Sequence, residues 1–160
     1  MNKINSVSHI WSLISSYSVL DQESNNLSLF NLIEKISVNV PEAEMLKLQK
    51  EGANKGFMFP FNFEVISRFL KNQGNQIAAF DLRVRMVNPD GKSLSTAEQK
   101  IALNKDIRNM RVRTRFGSIF LDKAGDYSIA IDIKDVEDTR YVEVSRIPLE
   151  VMINIKRAKA

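Results

Sequence analysis

Arginine stands at 111, 113 and 115, and the same every-second spacing recurs at Arg83 and Arg85. A side chain repeated at period two projects from one face of an extended strand, so each set makes a row of guanidinium groups. Such rows bind phosphates or carboxylates, which makes Arg83, Arg85, Arg111, Arg113 and Arg115 candidate contacts for an anion or a partner. Charge on an exposed strand also discourages edge-to-edge pairing, and Glu64, Asp81 and Asp106 are at hand as internal counter-ions. No aromatic residue interleaves the arginines on the polar side, where bases would stack. Nucleic acid is therefore the second expectation, and a protein partner the first.

Other reactive groups are sparse. His9 is the only histidine and there is no cysteine. That composition gives little basis for a Ser-His-Asp relay or a typical zinc site, and it excludes a disulfide framework and a thiolate nucleophile. In its polar N-terminal stretch His9 reads as an exposed or hydrogen-bonded surface residue. Asp132, Asp135, Glu137 and Asp138 crowd one charged tip with oxygens of the kind calcium takes, but Lys134 and Arg140 intervene and the EF-hand spacing is absent. No carboxylate pair falls in an identifiable cleft for glycosidase-like chemistry. Gly74, Gly91 and Gly125 are isolated turn glycines, not a phosphate-cradling run. The expectation is a non-enzymatic module with no cofactor and no metal. It would dock on protein, a second copy or another chain, through an exposed strand edge or loops.

The elements that would carry these residues are strands. Phe57, Phe59, Phe61, Phe63, Val65 and Phe69 occupy odd positions, placing five of the nine phenylalanines on one face. Pro60 cannot donate to a ladder and marks an edge or a bulge. Phe80, Leu82, Val84 and Met86 form a second alternating run, ended by the turn Asn88-Pro89-Asp90-Gly91. Trp11, Leu13, Tyr17 and Val19 alternate likewise. The run 27–40 carries apolar residues on both parities and reads as one two-sided strand. Residues 42–50 follow Pro41 with acids early and lysines late, which predicts one short helix. The stretch 92–100 reads as a weak edge strand plus loop. Met110, Val112, Thr114 and Phe116 oppose the arginines of their strand, Ile129, Ile131 and Ile133 mark another, and 141–145 and 148–155 close the chain.

Eight or nine short strands with turns every ten or so residues predict an all-β, immunoglobulin-like antiparallel sandwich with at most one helix. A chain of 160 residues reads as a single domain over 1–160, with 156–160 frayed. Its net charge of +4 is only mildly basic. The polar 1–8 and the short apolar stretch 10–14 do not read as a leader, and no apolar run reaches membrane-span length. A cytoplasmic location is the expectation, with no membrane association.

Two resemblances rest on motifs. Asp122, Gly125 and Tyr127 resemble the tyrosine corner of immunoglobulin-type sandwiches, with one residue more between Asp and Gly than the common form. Ser28-Leu29-Phe30-Asn31-Leu32-Ile33-Glu34-Lys35-Ile36, then Phe59-Pro60, Asn88-Pro89-Asp90-Gly91-Lys92, Ala124-Gly125-Asp126-Tyr127 and Pro148-Leu149-Glu150-Val151 occur in order. In these the chain resembles an uncharacterised family of small bacterial immunoglobulin-like β-sandwich proteins. The resemblance implies a fold and no catalytic residue.

Overall fold

Period-two alternation runs through most of the chain, and the backbone follows it into nine strands. These are β1 (Val7–Leu20), β2 (Leu27–Leu32), β3 (Lys35–Pro41), β4 (Phe57–Lys71), β5 (Ala78–Val87), β6 (Ser93–Leu103), β7 (Asn109–Leu121), β8 (Gly125–Asp135) and β9 (Val142–Lys156). The computed structural model describes residues 4–43, 46, 56–72 and 77–156. A four-stranded sheet runs β2-β1-β4-β7 and a five-stranded sheet runs β3-β9-β8-β5-β6. The second sheet curls like half of a barrel. Its β3–β9 pair is parallel, unlike the fully antiparallel arrangement expected, and the other pairs are antiparallel. Among the described residues no helix is long and apolar enough to cross a membrane.

The core lies between the sheets. Phe63, Val65 and Phe69 enter it from β4, and Phe57, Phe59 and Phe61 pack at its rim. Phe80, Leu82, Val84 and Met86 enter from β5, and Ile129, Ile131 and Ile133 from β8. Each fully buried side chain of this size stabilises the fold by about 1.5–3 kcal/mol. The rings of Phe69 and Phe80 meet across the layers at 4.9 Å. Consecutive β4 and β5 are therefore not partners in one sheet; they face each other.

Several expectations change for physical reasons. The run 27–40 divides at Ile33 and Glu34 into two edge strands of different sheets, not one central strand. Asn31 has a left-handed backbone (φ 52°) just before the division, a conformation Asn tolerates. Ile33 N–H then bonds Ile14 O in one sheet while Glu34 O accepts from Glu150 N–H in the other. Pro60 is accommodated by an irregularity between Pro60 and Phe63, in a part of β4 that β1 does not reach. An irregularity between His9 and Trp11 switches the inward parity of β1. Ile14 consequently faces the core, while Leu13, Tyr17 and Val19 are exposed. Of the stretch 92–100, read as a weak edge strand plus loop, residues 93–100 belong to a continuous eleven-residue edge strand. The last two runs are one strand, β9. Glu42, Ala43 and Leu46 have helical backbone; the rest of the helix expected over 42–50 lies outside the described residues, as does 157–160 of the tail.

Candidate functional site

The two arginine strands belong to different sheets, so the five arginines do not form one site. In β5, pleating that sends Leu82 and Val84 inward sends Arg83 and Arg85 outward, beside Asp132 of β8. Arg83 Nε donates to Asp132 Oδ2 at 3.0 Å, and Arg85 donates Nε and Nη2 to Oδ2 and Oδ1 at 2.5 and 2.9 Å. Glu143 and Arg146 extend the network, and the Arg83 guanidinium lies 3.9 Å above the Tyr141 ring centre. Lys134 pairs with Asp81 on the same sheet. Asp132 is only 1% exposed. Burial pushes its carboxyl up, but Arg85 and Arg83 outweigh this and hold it below the usual range.

On β7 the balance differs. Arg111, Arg113 and Arg115 stand opposite Arg68, Ile66 and Glu64 of β4 on the outer face. Arg115 Nε donates to Glu64 Oε1 at 2.9 Å, and Arg113 Nε lies 3.9 Å away. Among the described residues these pairs thus set four guanidiniums, Arg68 included, against the one carboxylate of Glu64. Arg68 was visible in the sequence at the same parity as Glu64, but only the β4–β7 pairing brings it beside the triad. Burial raises the Glu64 pKa, yet the Ser18 hydroxyl, Arg115 and Arg113 bring it below the usual value.

The β1–β2 hairpin participates. Leu13 and Arg113 both stand opposite Ile66, yet Arg113 Nη1 reaches Ser18 O and Oγ at 3.4 and 3.3 Å. On a straight strand Ser18 would lie about 16 Å beyond Leu13. The hairpin therefore bends back over β4 and β7. There Arg111 Nη2 donates to Asn25 O and Oδ1, and Ser18 Oγ donates to Glu64. This cover explains why Ile66, on the outer face, is 1% exposed. The hairpin's other side shows Tyr17 stacked on Phe30 at 4.6 Å, with Val19 and Leu32 exposed alongside.

β7 also ends its sheet: among the described residues β4 is its only hydrogen-bonded neighbour. Beyond its free edge lies β6, the last strand of the other sheet, joined to it where Gln99 Nε2 donates to Thr114 Oγ1 at 2.8 Å. Further along, a cleft of about 320 Å³ opens between them, lined by Met58, Leu94, Ala97, Phe116 and Phe120, with Arg115 at its rim.

Most of the remaining chemical candidates make contacts within the fold. His9 is buried, not at the surface, with Nε2 2.8 Å from Ser12 Oγ and its ring edge-on to Phe69. Burial lowers its pKa against a smaller opposing effect of the Trp11 backbone. The acids at 132–138 diverge: Asp132 faces the arginines, while Asp135 caps the Asn5 and Ser6 N–H groups at 3.0 and 3.2 Å. Among the described residues no three His, Cys, Asp or Glu side chains converge as metal ligands. Asp122, Gly125 and Tyr127 form a corner between β7 and β8. The Tyr127 hydroxyl lies 2.7 Å from both Asp122 Oδ1 and Lys123 O, and accepts the Asp122 and Lys123 N–H groups at 3.2 Å. Asn88 donates to Asp122 at 2.6 Å, tying in the β5–β6 turn. Gly125 adopts φ +139°, and a Cβ there would meet Pro89 Cγ at 2.9 Å, so glycine is required.

No protein-family model matches this chain, and no curated protein matches it.

Proposed function

We propose that this protein is a non-enzymatic protein-binding module on an immunoglobulin-like β-sandwich frame, docking an extended segment of its partner along β7. The frame is supported by the Tyr127 corner. The function rests on one observation: β7 is a thirteen-residue strand whose second edge has no ladder partner among the described residues, β6 meeting it through the Gln99–Thr114 side-chain bond. Free N–H and C=O groups along such an edge accept an added strand. The absence of cysteine from the sequence fits a reducing, cytoplasmic setting. Extended peptides selected from a random library, mapped by amide hydrogen exchange, test the reading. Binders should protect 109–116; binders that consistently protect only other surfaces overturn it.

A second reading, polyanion binding, is favoured by the four guanidiniums and one carboxylate on the outer face of β4 and β7. It requires salt-sensitive binding of generic DNA or RNA that Arg111→Ser, Arg113→Ser and Arg115→Ser together abolish.

A further inference from the structure

We propose that the segment docked on β7 is acidic and alternating, with Asp or Glu at every second position and apolar residues between. This rests on the edge-docking reading and names the partner's chemistry. A strand added beside β7 obeys the pleat, so its side chains directly opposite Arg111, Arg113 and Arg115 share the outer face with them. That face already holds Arg68 and, among the described residues, offers Glu64 as its one carboxylate. Lys or Arg opposite the triad would meet like charge, whereas carboxylates there complete cross-strand ion pairs. The alternate residues of the added strand turn toward β6, and those at the Phe116 end reach the cleft, whose walls mix Met58, Leu94 and Phe120 with Ser95, Thr96 and Ser118.

The other free edges lack this pairing of features. β2 has six residues and a left-handed Asn31, and β3 has seven. β6 carries charge of both signs, with Glu98 opposite Arg83 and Lys100 opposite Asp81. Among the described residues β7 alone joins length and one sign of charge with a cleft at its Phe116 end. A row of arginines on an edge strand blocks a basic or neutral copy while admitting an acidic strand, which is specificity through repulsion as well as attraction.

The test uses the full chain and four probes: a ten-residue Glu-Val repeat, a block peptide of equal composition, a Ser-Val repeat, and single-stranded DNA of matched charge. Binding is read by fluorescence anisotropy and location by amide exchange. The Glu-Val repeat should bind, weaken with salt and protect 109–116. The Ser-Val repeat and the block peptide should bind about tenfold more weakly. The Arg111→Ser, Arg113→Ser, Arg115→Ser triple variant should remove the preference for Glu over Ser. N-methylation of one or the other alternate set of peptide amides should abolish binding.

If the Ser-Val repeat binds as tightly as Glu-Val and still protects 109–116, the acidic assignment falls while edge docking stands. If no peptide protects β7, both fall. DNA binding in preference to every peptide, or protection of 109–116 that rises with protein concentration alone, assigns the surface to nucleic acid or to a second copy and overturns the proposal.

Discussion

The rows at Arg83–Arg85 and at Arg111–Arg113–Arg115 have the same spacing and the same chemistry, and the fold uses them differently. On β5 two guanidiniums close on Asp132, whose side chain is 2% exposed, while their own side chains are 28% and 22% exposed. On β7 Glu64 is nearly as buried, at 8%, but Arg113 and Arg115 remain 40% and 67% exposed. Charge spent inside a network holds a sheet together, whereas charge left in water is available to a partner. The difference teaches that a repeat of arginines acquires its role from the number of carboxylates across the strand, not from its own spacing.

Removing the central carboxylate of each row separates the two roles most sharply. Asp132→Ala leaves Arg83 and Arg85 without their buried partner and should cost about 3 kcal/mol of unfolding free energy in urea, the low end for a broken buried pair. Glu64→Ala leaves arginines that are already well hydrated. Its expected loss is about 1–2 kcal/mol, with the Ser18 hydroxyl losing its acceptor. Equal losses in the two variants would erase the distinction between the faces.

Both faces hang on the corner that carries the chain from β7 to β8. Tyr127→Phe should lower stability by about 1 kcal/mol without changing peptide or anion binding. Burial, chiefly, and the Asp122 carboxylate push the Tyr127 pKa up to about 12. Because the folded value is raised, that stabilisation is complete below the ordinary value of 10.0 and is lost as pH rises through about 12. The phenylalanine variant should lack this alkaline loss in pH-dependent unfolding.

Acid separates the wild type from Asp132→Asn by the opposite sign. The Asp132 pKa is lowered in the folded protein, so its contribution is full above the ordinary 3.8 and disappears as pH falls through the lower folded value. The asparagine variant should show a flatter stability curve below pH 4. The smallest stability effect belongs to Arg115→Ser: its exposed ion pair should change stability by less than about 1 kcal/mol, while affinity for acidic segments falls. A large destabilisation there would move β7 into the same category as β5.

Much of the core was legible. The odd phenylalanines of β4, the even positions of β5 and the isoleucines of β8 all point inward as their alternation requires, since period two admits one buried face. Elsewhere alternation named a strand but not its face: a single irregularity near Ile10 turned Leu13, Tyr17 and Val19 outward. The division of 27–40 between two sheets left only one weak trace, Asn31. For the site, spacing identified the arginines, but the bend that brings Ser18 and Asn25 over β7 has no local signature.

Residue order by itself determined the strands, the turn at 88–91 and the glycine at 125, because backbone sterics and side-chain alternation act over neighbouring residues. The tertiary arrangement settled which arginines are neutralised, that β7 has no second ladder partner among the described residues and that His9 is buried. Those outcomes depend on which strand comes to lie beside which, a choice settled by burial of apolar surface across residues far apart in the chain.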